Sequence, residues 1–550
     1  MKILAGFFLA VKGASAEVDF NGDVVPFDRR QALRRLADES FDVLIVGGGI
    51  TGAGCALDAS TRGLRVALVE AHDFASGTSS KSSKLVHGGL RYLQNGELGL
   101  VYEALAERQI LTGNAPHLVH MLPFLLPIFH DGGFIDRRLA RGLGLAMWGY
   151  DLTGGFRYGK LHDRLSKSDA LARFPTLDAP RLAYAYVYYD ATADDARLTL
   201  AIARTAAFHG AAVANYAPVQ SLAHDRDGRI VGATVEADGV TIAVRARVVI
   251  NACGIWSDRL RALDRDAVTP LIRPAKGIHI TLPRSLIGNE IAAVLPVPGE
   301  KRTVFVVPWG DFTYVGTTDT DYDGSLDDPR CTDDDVAYLL RTINASLTPR
   351  ISREDIVGAW AGLRPLVAAP HSRGRRTGDL SRRHLVHTAV SGLITVTGGK
   401  LTTYRRMSEV TIDKAIRMLD MNGHRCLTKR VPLVGAEQLD HTQVDPHLAP
   451  RYGSEASTVL ALARQAGLSQ PLIPGLPYLR AEVVFAARHE MAQTVDDVLS
   501  RRTRARILAR QASVAAADDV AMLLGAELGL SPDAQQAQVS AYRTRVGDAE

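Results

Sequence analysis

The segment Phe41–Glu70, FDVLIVGGGITGAGCALDASTRGLRVALVE, limits the fold more than any other part of the chain. Val43, Leu44, Ile45 and Val46 form the short apolar run expected of a strand buried on both faces. Gly47-x-Gly49-x-x-Gly52 follows at once. In that spacing the first glycine permits the tight turn, the second lets a pyrophosphate approach the backbone, and the third lets the next helix pack close to the sheet. Ala53, Ala56, Leu57 and Ser60 recur at helical spacing, Gly63 can end the helix, and Val66–Val69 read as a second strand. Glu70 closes that strand and can accept hydrogen bonds from ribose hydroxyls. Glycines alone could mark a turn in many α/β proteins. Strand, glycines, helix, strand and acid in this order specify a dinucleotide-binding βαβ unit.

Three further segments favour FAD. DFASGTSSKSSKLVHGGLRYL follows Glu70 and offers Ser79, Ser80, Ser82 and Ser83 as donors on a loop, suited to a diphosphate and a flavin edge. RARVVINACGIWSD, Arg245–Asp258, reads as a strand running into Ala252 and Gly254, where backbone can again approach a cofactor. SGLITVTGGKLTTYR, Ser391–Arg405, combines a strand, two glycines, Lys400 and a helix start. Helix-start N–H groups and a lysine suit the negative charge that a reduced flavin develops. Each segment alone reads as ordinary structure; their joint presence points to FAD.

The runs SSKLVHGGLRYL, GTTD at Gly316–Asp319, GLRPL at Gly362–Leu366 and GGKLTTYR at Gly398–Arg405 closely resemble the FAD-dependent glycerol-3-phosphate dehydrogenases, which belong to the D-amino-acid-oxidase-like flavoproteins. The resemblance runs from Phe27 to about Arg510. It implies oxidation of the C2 hydroxyl of sn-glycerol 3-phosphate to dihydroxyacetone phosphate, with a hydride passing to FAD and electrons leaving to a quinone. A glycerol-3-phosphate oxidase that uses oxygen has the same motifs, and a non-catalytic FAD-binding redox sensor is the alternative of another class. The fold expected is α/β + α: a Rossmann-like FAD-binding domain, an inserted mixed-sheet substrate (cap) domain, and a C-terminal helical domain. Composition places an N-terminal extension and arm at 1–40 and a discontinuous FAD-binding domain at 41–420. The insertions fall at roughly 96–190 and 256–365, and the helical domain at 421–550.

The reaction needs a phosphate clamp, a proton acceptor and a carbon placed against the flavin. Arginine suits the clamp, because its fork matches phosphate oxygens. By resemblance Arg91, Tyr92, Thr317 and Arg382 line the substrate pocket, and His279, Arg364 and Lys400 are the catalytic set. Arg382 sits in an arginine-crowded run where the match can slip to Arg383. His279 is either the base or a substrate binder, and Lys400 can orient the hydroxyl. The cofactor set is Gly47, Gly49, Gly52, Glu70, Ser79, Ser80, Ser82, Ser83, Lys84, Gly254, Gly399, Leu401 and Thr402. His87 is expected to touch the flavin without a covalent bond.

The chain has 550 residues, enough for two or three domains, and a net charge of only +4. Its basic residues are dispersed, which argues against nucleic acid as a partner. The cysteines, Cys55, Cys253, Cys331 and Cys426, show no metal or disulfide spacing, consistent with a reducing cytoplasm. DTDYDG at Asp319–Gly324 imitates the first half of a calcium loop. Position 12 is Arg330 where a glutamate is required, so no metal is expected. Residues 1–16 have the outline of a secretory signal, but an N-terminal extension is favoured because the rest resembles a cytoplasmic enzyme. Arg501, Arg502, Arg504 and Arg506 read either as a face for anionic lipid or as surface arginines of a helical domain. The resemblance favours peripheral association with the inner face of the plasma membrane. A homodimer is also an expectation.

Overall fold

The computed structural model describes residues 27–89, 98–130, 162–264, 269–300, 302–368, 384–437 and 445–547. The apolar run of the fingerprint becomes the strand Ser40–Val46, buried from Phe41 onward. It lies between two parallel neighbours, Val66–Val69 and Val240–Asn251. Beyond them the sheet continues to Ala212–Ala214 on one side and to Ile394–Gly398 and His384–Thr388 on the other. A meander of Val219–His224, Ile230–Ala237 and the start of Val240–Asn251 completes eight strands.

The helix Ile50–Thr61 follows the glycine turn and is buried from Gly52 to Ser60. It packs against the helices Asp195–Phe208 and Tyr404–Met418. Its small residues are what permit this. A Cβ added at Gly54 would stand 2.5 Å from Ser408 Oγ and 2.7 Å from a Tyr404 ring carbon. The sheet and these helices share one apolar core.

Among the described residues a second sheet has ten strands, mostly antiparallel. Next to one edge is the strand Ile272–Pro283, paired on one side with the edge strand Gly358–Val367 and on the other with Phe312–Gly316. The long pair Val119–Phe129 and Leu182–Ala193 extends it. Alternation gives this sheet two buried faces. Ile278, Ile280, Leu282 and Val306 pack into one core. Tyr314, Trp360, Val307 and Tyr188 share another with the C-terminal helices, through Val483, Val498, Ile507 and Leu508.

The C-terminal part is helical, with Arg480–His489, Ala517–Leu528 and Pro532–Gly547 as its main elements. The arginine run corrects the sequence expectation, since neither the lipid-facing nor the solvated reading holds for its first three members. The side chains of Arg501, Arg502 and Arg504 are 9%, 2% and 1% exposed. Arg502 binds both carboxylate oxygens of Asp73, at 2.7 and 2.9 Å, and Arg501 reaches the same carboxylate at 2.5 Å. Arg504 pairs with Asp195 and with Asp194. The run is an internal fastener between the C-terminal helices and the first sheet's domain. The sequence does not show this, because Asp73, Asp194 and Asp195 lie hundreds of positions away, although Arg501 also pairs with the nearby Asp496 and Asp497. Among the described residues, no helix is long and apolar enough to cross a membrane.

Candidate active site

The loop between Ser76 and Val86 joins both halves of the site. At its start, Ser79 Oγ accepts a hydrogen bond from the Ile50 N–H at the head of the fingerprint helix, 2.9 Å away. Next, Thr78 Oγ1 donates to the carbonyl of Leu363 in the GLRPL strand at 2.6 Å. At its end, Ser83 Oγ lies 2.9 Å from Nε2 of His279. One short loop thus ties the dinucleotide turn to the second sheet.

On the first side lies a cavity of about 450 Å3. Gly47, Gly49, Glu70, Ser79, Gly254, Gly399, Lys400 and Leu401 line it, together with Trp256. The glycines are needed where backbones meet. Gly47 has φ +112°, and a Cβ there would sit 2.7 Å from the Ala252 carbonyl oxygen. Gly52 plays its expected packing role, since a Cβ would fall 1.8 Å from the Gly47 carbonyl. Glu70 stands at the end of its strand and accepts from the Gly48 N–H at 2.5 Å and the His72 N–H at 2.9 Å. Burial pushes its carboxyl above the usual range against the pull of those two bonds. Leu401–Thr403 form a 3-10 turn leading into the helix Tyr404–Met418, so the predicted helix start is present beside Lys400. A cavity lined by the glycine turn, a helix start and the strand-end acid Glu70 fits FAD.

On the second side is a face of the strand Ile272–Pro283. His279 stands opposite Gly316 and opposite Trp360. Its ring stacks on the Trp360 indole at 4.6 Å between centroids and 7° between planes. A Cβ at Gly316 would be 2.1 Å from the ring, so only glycine admits the histidine. Arg364 stands four residues along the neighbouring strand from Trp360, on the same face. Its guanidinium folds back over Gly277, where a Cβ would meet Nη2 at 2.4 Å and Thr317 Oγ1 at 2.5 Å. Nη2 donates to Thr317 Oγ1 and to the Thr318 carbonyl, each at 3.0 Å, and Asp319 lies 3.4 Å from Nη1. Gly277 is two residues from His279, about 7 Å along a strand. Burial, with Lys84 and Arg364 nearby, holds the imidazole well below its ordinary pKa, so the ring is neutral.

The remaining predicted residues divide. Ser80, Ser82, Lys84 and Thr402 have protein partners. Lys84 Nζ donates to the Ser80 carbonyl and to Asp195 at 3.0 Å each, Ser82 Oγ donates to Asp195 at 2.7 Å, and Thr402 Oγ1 accepts from the His87 N–H at 3.1 Å. The side chains of Ser82 and Lys84 thus serve Asp195, and that of Ser83 meets His279. Arg91, Tyr92 and Arg382 lie outside the described residues. Trp360, Trp256 and Asp195 went unremarked in the sequence. Trp360 carried a signal, for it shares the strand and the alternate-residue face of Arg364.

Residues 42–405 match the FAD dependent oxidoreductase family, and residues 426–535 match the C-terminal domain of alpha-glycerophosphate oxidase. The glycerol-3-phosphate dehydrogenase of Mycobacterium leprae is 40% identical over 95% of this chain and 90% of its own. The chain belongs to the FAD-dependent glycerol-3-phosphate dehydrogenase family. The mitochondrial glycerol-3-phosphate dehydrogenase of Rattus norvegicus is 39% identical, over 92% of this chain and 73% of its own. Among solved structures, the Bacillus halodurans glycerol-3-phosphate dehydrogenase complexed with FAD superposes with a TM-score of 0.76 at 30% identity. That match covers 94% of this chain and 96% of the other. For this member of the family FAD is the cofactor, and Gly47, Gly49, Glu70, Gly254 and the Gly399–Leu401 turn line the cavity beside the fingerprint.

Proposed function

We propose that this dehydrogenase oxidises sn-glycerol 3-phosphate to dihydroxyacetone phosphate. One observation carries the proposal: the Arg364 guanidinium is held over the Gly277 floor, two residues from a neutral histidine, beside the dinucleotide cradle. Bound FAD supplies the hydride acceptor. Arg364 takes the substrate phosphate, its orientation set in advance by Thr317 and the Thr318 carbonyl. The C2 hydroxyl proton passes to Nε2 of His279, bridged by the Ser83 hydroxyl at 2.9 Å. This uses the tautomer with its proton on Nδ1, which leaves Nε2 as acceptor. Lys400 lines the cofactor cavity at the helix start, where a cation favours charge gained by the cofactor. The family membership supports a quinone as electron acceptor and peripheral attachment to the cytoplasmic face of a membrane.

Anaerobic addition of glycerol 3-phosphate to FAD-loaded protein should bleach the flavin absorbance within one turnover. An unchanged spectrum in folded, FAD-loaded protein would overturn the proposal. The match to the C-terminal domain of alpha-glycerophosphate oxidase favours a second reading, oxygen as acceptor. Stoichiometric peroxide in air, with no reduction of a quinone analogue, would select it.

A further inference from the structure

The loop that joins the two halves of the site carries one cation used by neither. Lys81 lines a separate cavity of about 90 Å3, between that loop, the Gly358–Val367 strand and the C-terminal segment from Asp496 to Arg510. Admitting one water takes roughly 10–15 Å3, so this space holds a group of several heavy atoms. Lys81 is firmly placed. A Cβ at Gly362 would lie 2.4 Å from its carbonyl oxygen and 2.9 Å from its own Cβ. Its half-buried ammonium makes no hydrogen bond or ion pair with any described residue.

Among the described residues, Lys81, Arg506 and Arg545 line the cavity together with two carboxylates, Asp328 and Asp496. Asp496 is already shared among Arg501 at 2.9 Å, Arg545 at 3.1 Å and Arg506 at 3.4 Å. Asp328 lies 3.6 Å from Arg330. Burial, Arg545 and Arg506 together bring the Lys81 ammonium down to about 8, which marks a positive field that nearby acids do not cancel. Arginine forks and a lysine ammonium converging on a small cavity are the donor set that phosphoryl oxygens accept.

We propose that this cavity is a second anion site, which takes a phosphoryl dianion of a small soluble molecule and is separate from the substrate phosphate position at Arg364. Trp360 lines the cavity and stacks on His279, so an anion bound here sits one indole away from the catalytic histidine. The proposal stands on the cavity and its charges and does not rest on the proposed substrate.

The test uses full-length, FAD-loaded Arg364→Ala protein, in which the substrate phosphate position is disabled. Inorganic phosphate and phosphoenolpyruvate are titrated calorimetrically in separate arms, at ionic strength held constant with chloride. Saturable binding of at least one probe at one site per chain is expected. The tighter probe tells whether the site favours free phosphate or the phosphoryl end of a metabolite. Adding Lys81→Met, or separately Arg545→Met, should weaken that binding at least tenfold. In the otherwise unaltered enzyme Lys81→Met should leave the KM for glycerol 3-phosphate unchanged. No saturable binding to the Arg364→Ala protein would overturn the proposal, as would unchanged affinity in both added variants. Failure of the otherwise unaltered, FAD-loaded enzyme to oxidise glycerol 3-phosphate, with phosphate binding retained in the Arg364→Ala protein, would overturn only the proposed function.

Discussion

Arg502 and Arg364 both sit in folded surroundings, with side chains 2% and 22% exposed, and differ in what they face. Arg502 grips both oxygens of Asp73 and also donates to the Glu490 carbonyl at 2.7 Å. Arg364 is oriented chiefly by neutral oxygens, with Asp319 no nearer than 3.4 Å. The first cation is matched inside the protein and serves to hold the C-terminal helices. The second has its direction fixed by Thr317 and the Thr318 carbonyl and keeps part of its surface open, the condition under which an arginine binds an outside anion. Residue type does not separate the two; burial and the partners that orient each do.

Removing Asp73 should break the matched region most severely. Asp73→Asn leaves Arg501 and Arg502 buried without their shared carboxylate. Breaking one such pair costs about 3–5 kcal/mol. Urea unfolding should show a loss of at least that size, whereas Arg543→Met at the exposed pair with Asp518 should change stability by less than ~1 kcal/mol. Burial raises the Asp73 carboxyl, but Arg502 and Arg501 outweigh it and hold the group below its usual range. Its contribution is therefore present at neutral pH and drains away as pH falls below about 4. An Asp73→Asn protein as stable as its parent would dissolve the contrast.

In the catalytic region His279→Gln should lower kcat by about 10²–10⁴ with FAD content unchanged, the range for loss of a general base. A fall of less than tenfold would leave the histidine as a binder. Arg364→Ala should act mainly through KM, cutting kcat/KM by roughly 10–150-fold, the equivalent of a charge-assisted hydrogen bond worth about 1.5–3 kcal/mol. Unchanged stability in that variant, set beside the collapse at Asp73, would sharpen the comparison directly. Ser83→Ala removes only the bridging hydroxyl. A drop in kcat of about fivefold with KM held is expected, near 1 kcal/mol. A change confined to KM would place Ser83 on substrate binding instead.

The dinucleotide unit was legible because strand, glycine and helix signals there are local and contiguous. The 3-10 turn at Leu401–Thr403 was legible from its glycines for the same reason. His279 and Arg364 were legible only as motif members; that they share a face follows from antiparallel register between strands that begin 86 positions apart, at Ile272 and Gly358. The protein partners of the serine loop were not legible, because hydroxyl-rich loops look alike whether they meet a diphosphate or a buried aspartate. Asp195 holds Ser82 and Lys84, and nothing near Asp195 in the sequence points to residues 80–84. The arginines at 501, 502 and 504 failed for the same reason in reverse: a dense basic run looks solvated until its distant acids are in place.

The smallest expected effect concerns acidity. Burial depresses the His279 imidazole first, and Lys84 and Arg364 depress it further. A free-enzyme base with a lowered pKa stays neutral well below pH 6.5, so the acid limb of kcat/KM should lie below that value. A phosphate dianion on Arg364 cancels one of the two cations that oppose protonation. The same group in the enzyme–substrate complex should then hold its proton more readily, and the acid limb of kcat should sit at higher pH than that of kcat/KM. In Arg364→Ala that cation is already gone, so the two limbs should draw together, with the kcat/KM limb moved upward. Lys84 keeps its partner Asp195 in both states and should contribute equally to each. Coincident limbs in the parent enzyme would mean that the phosphate and the imidazole do not sense one another. The short run from Gly277 to His279 would then be structural proximity without electrostatic consequence.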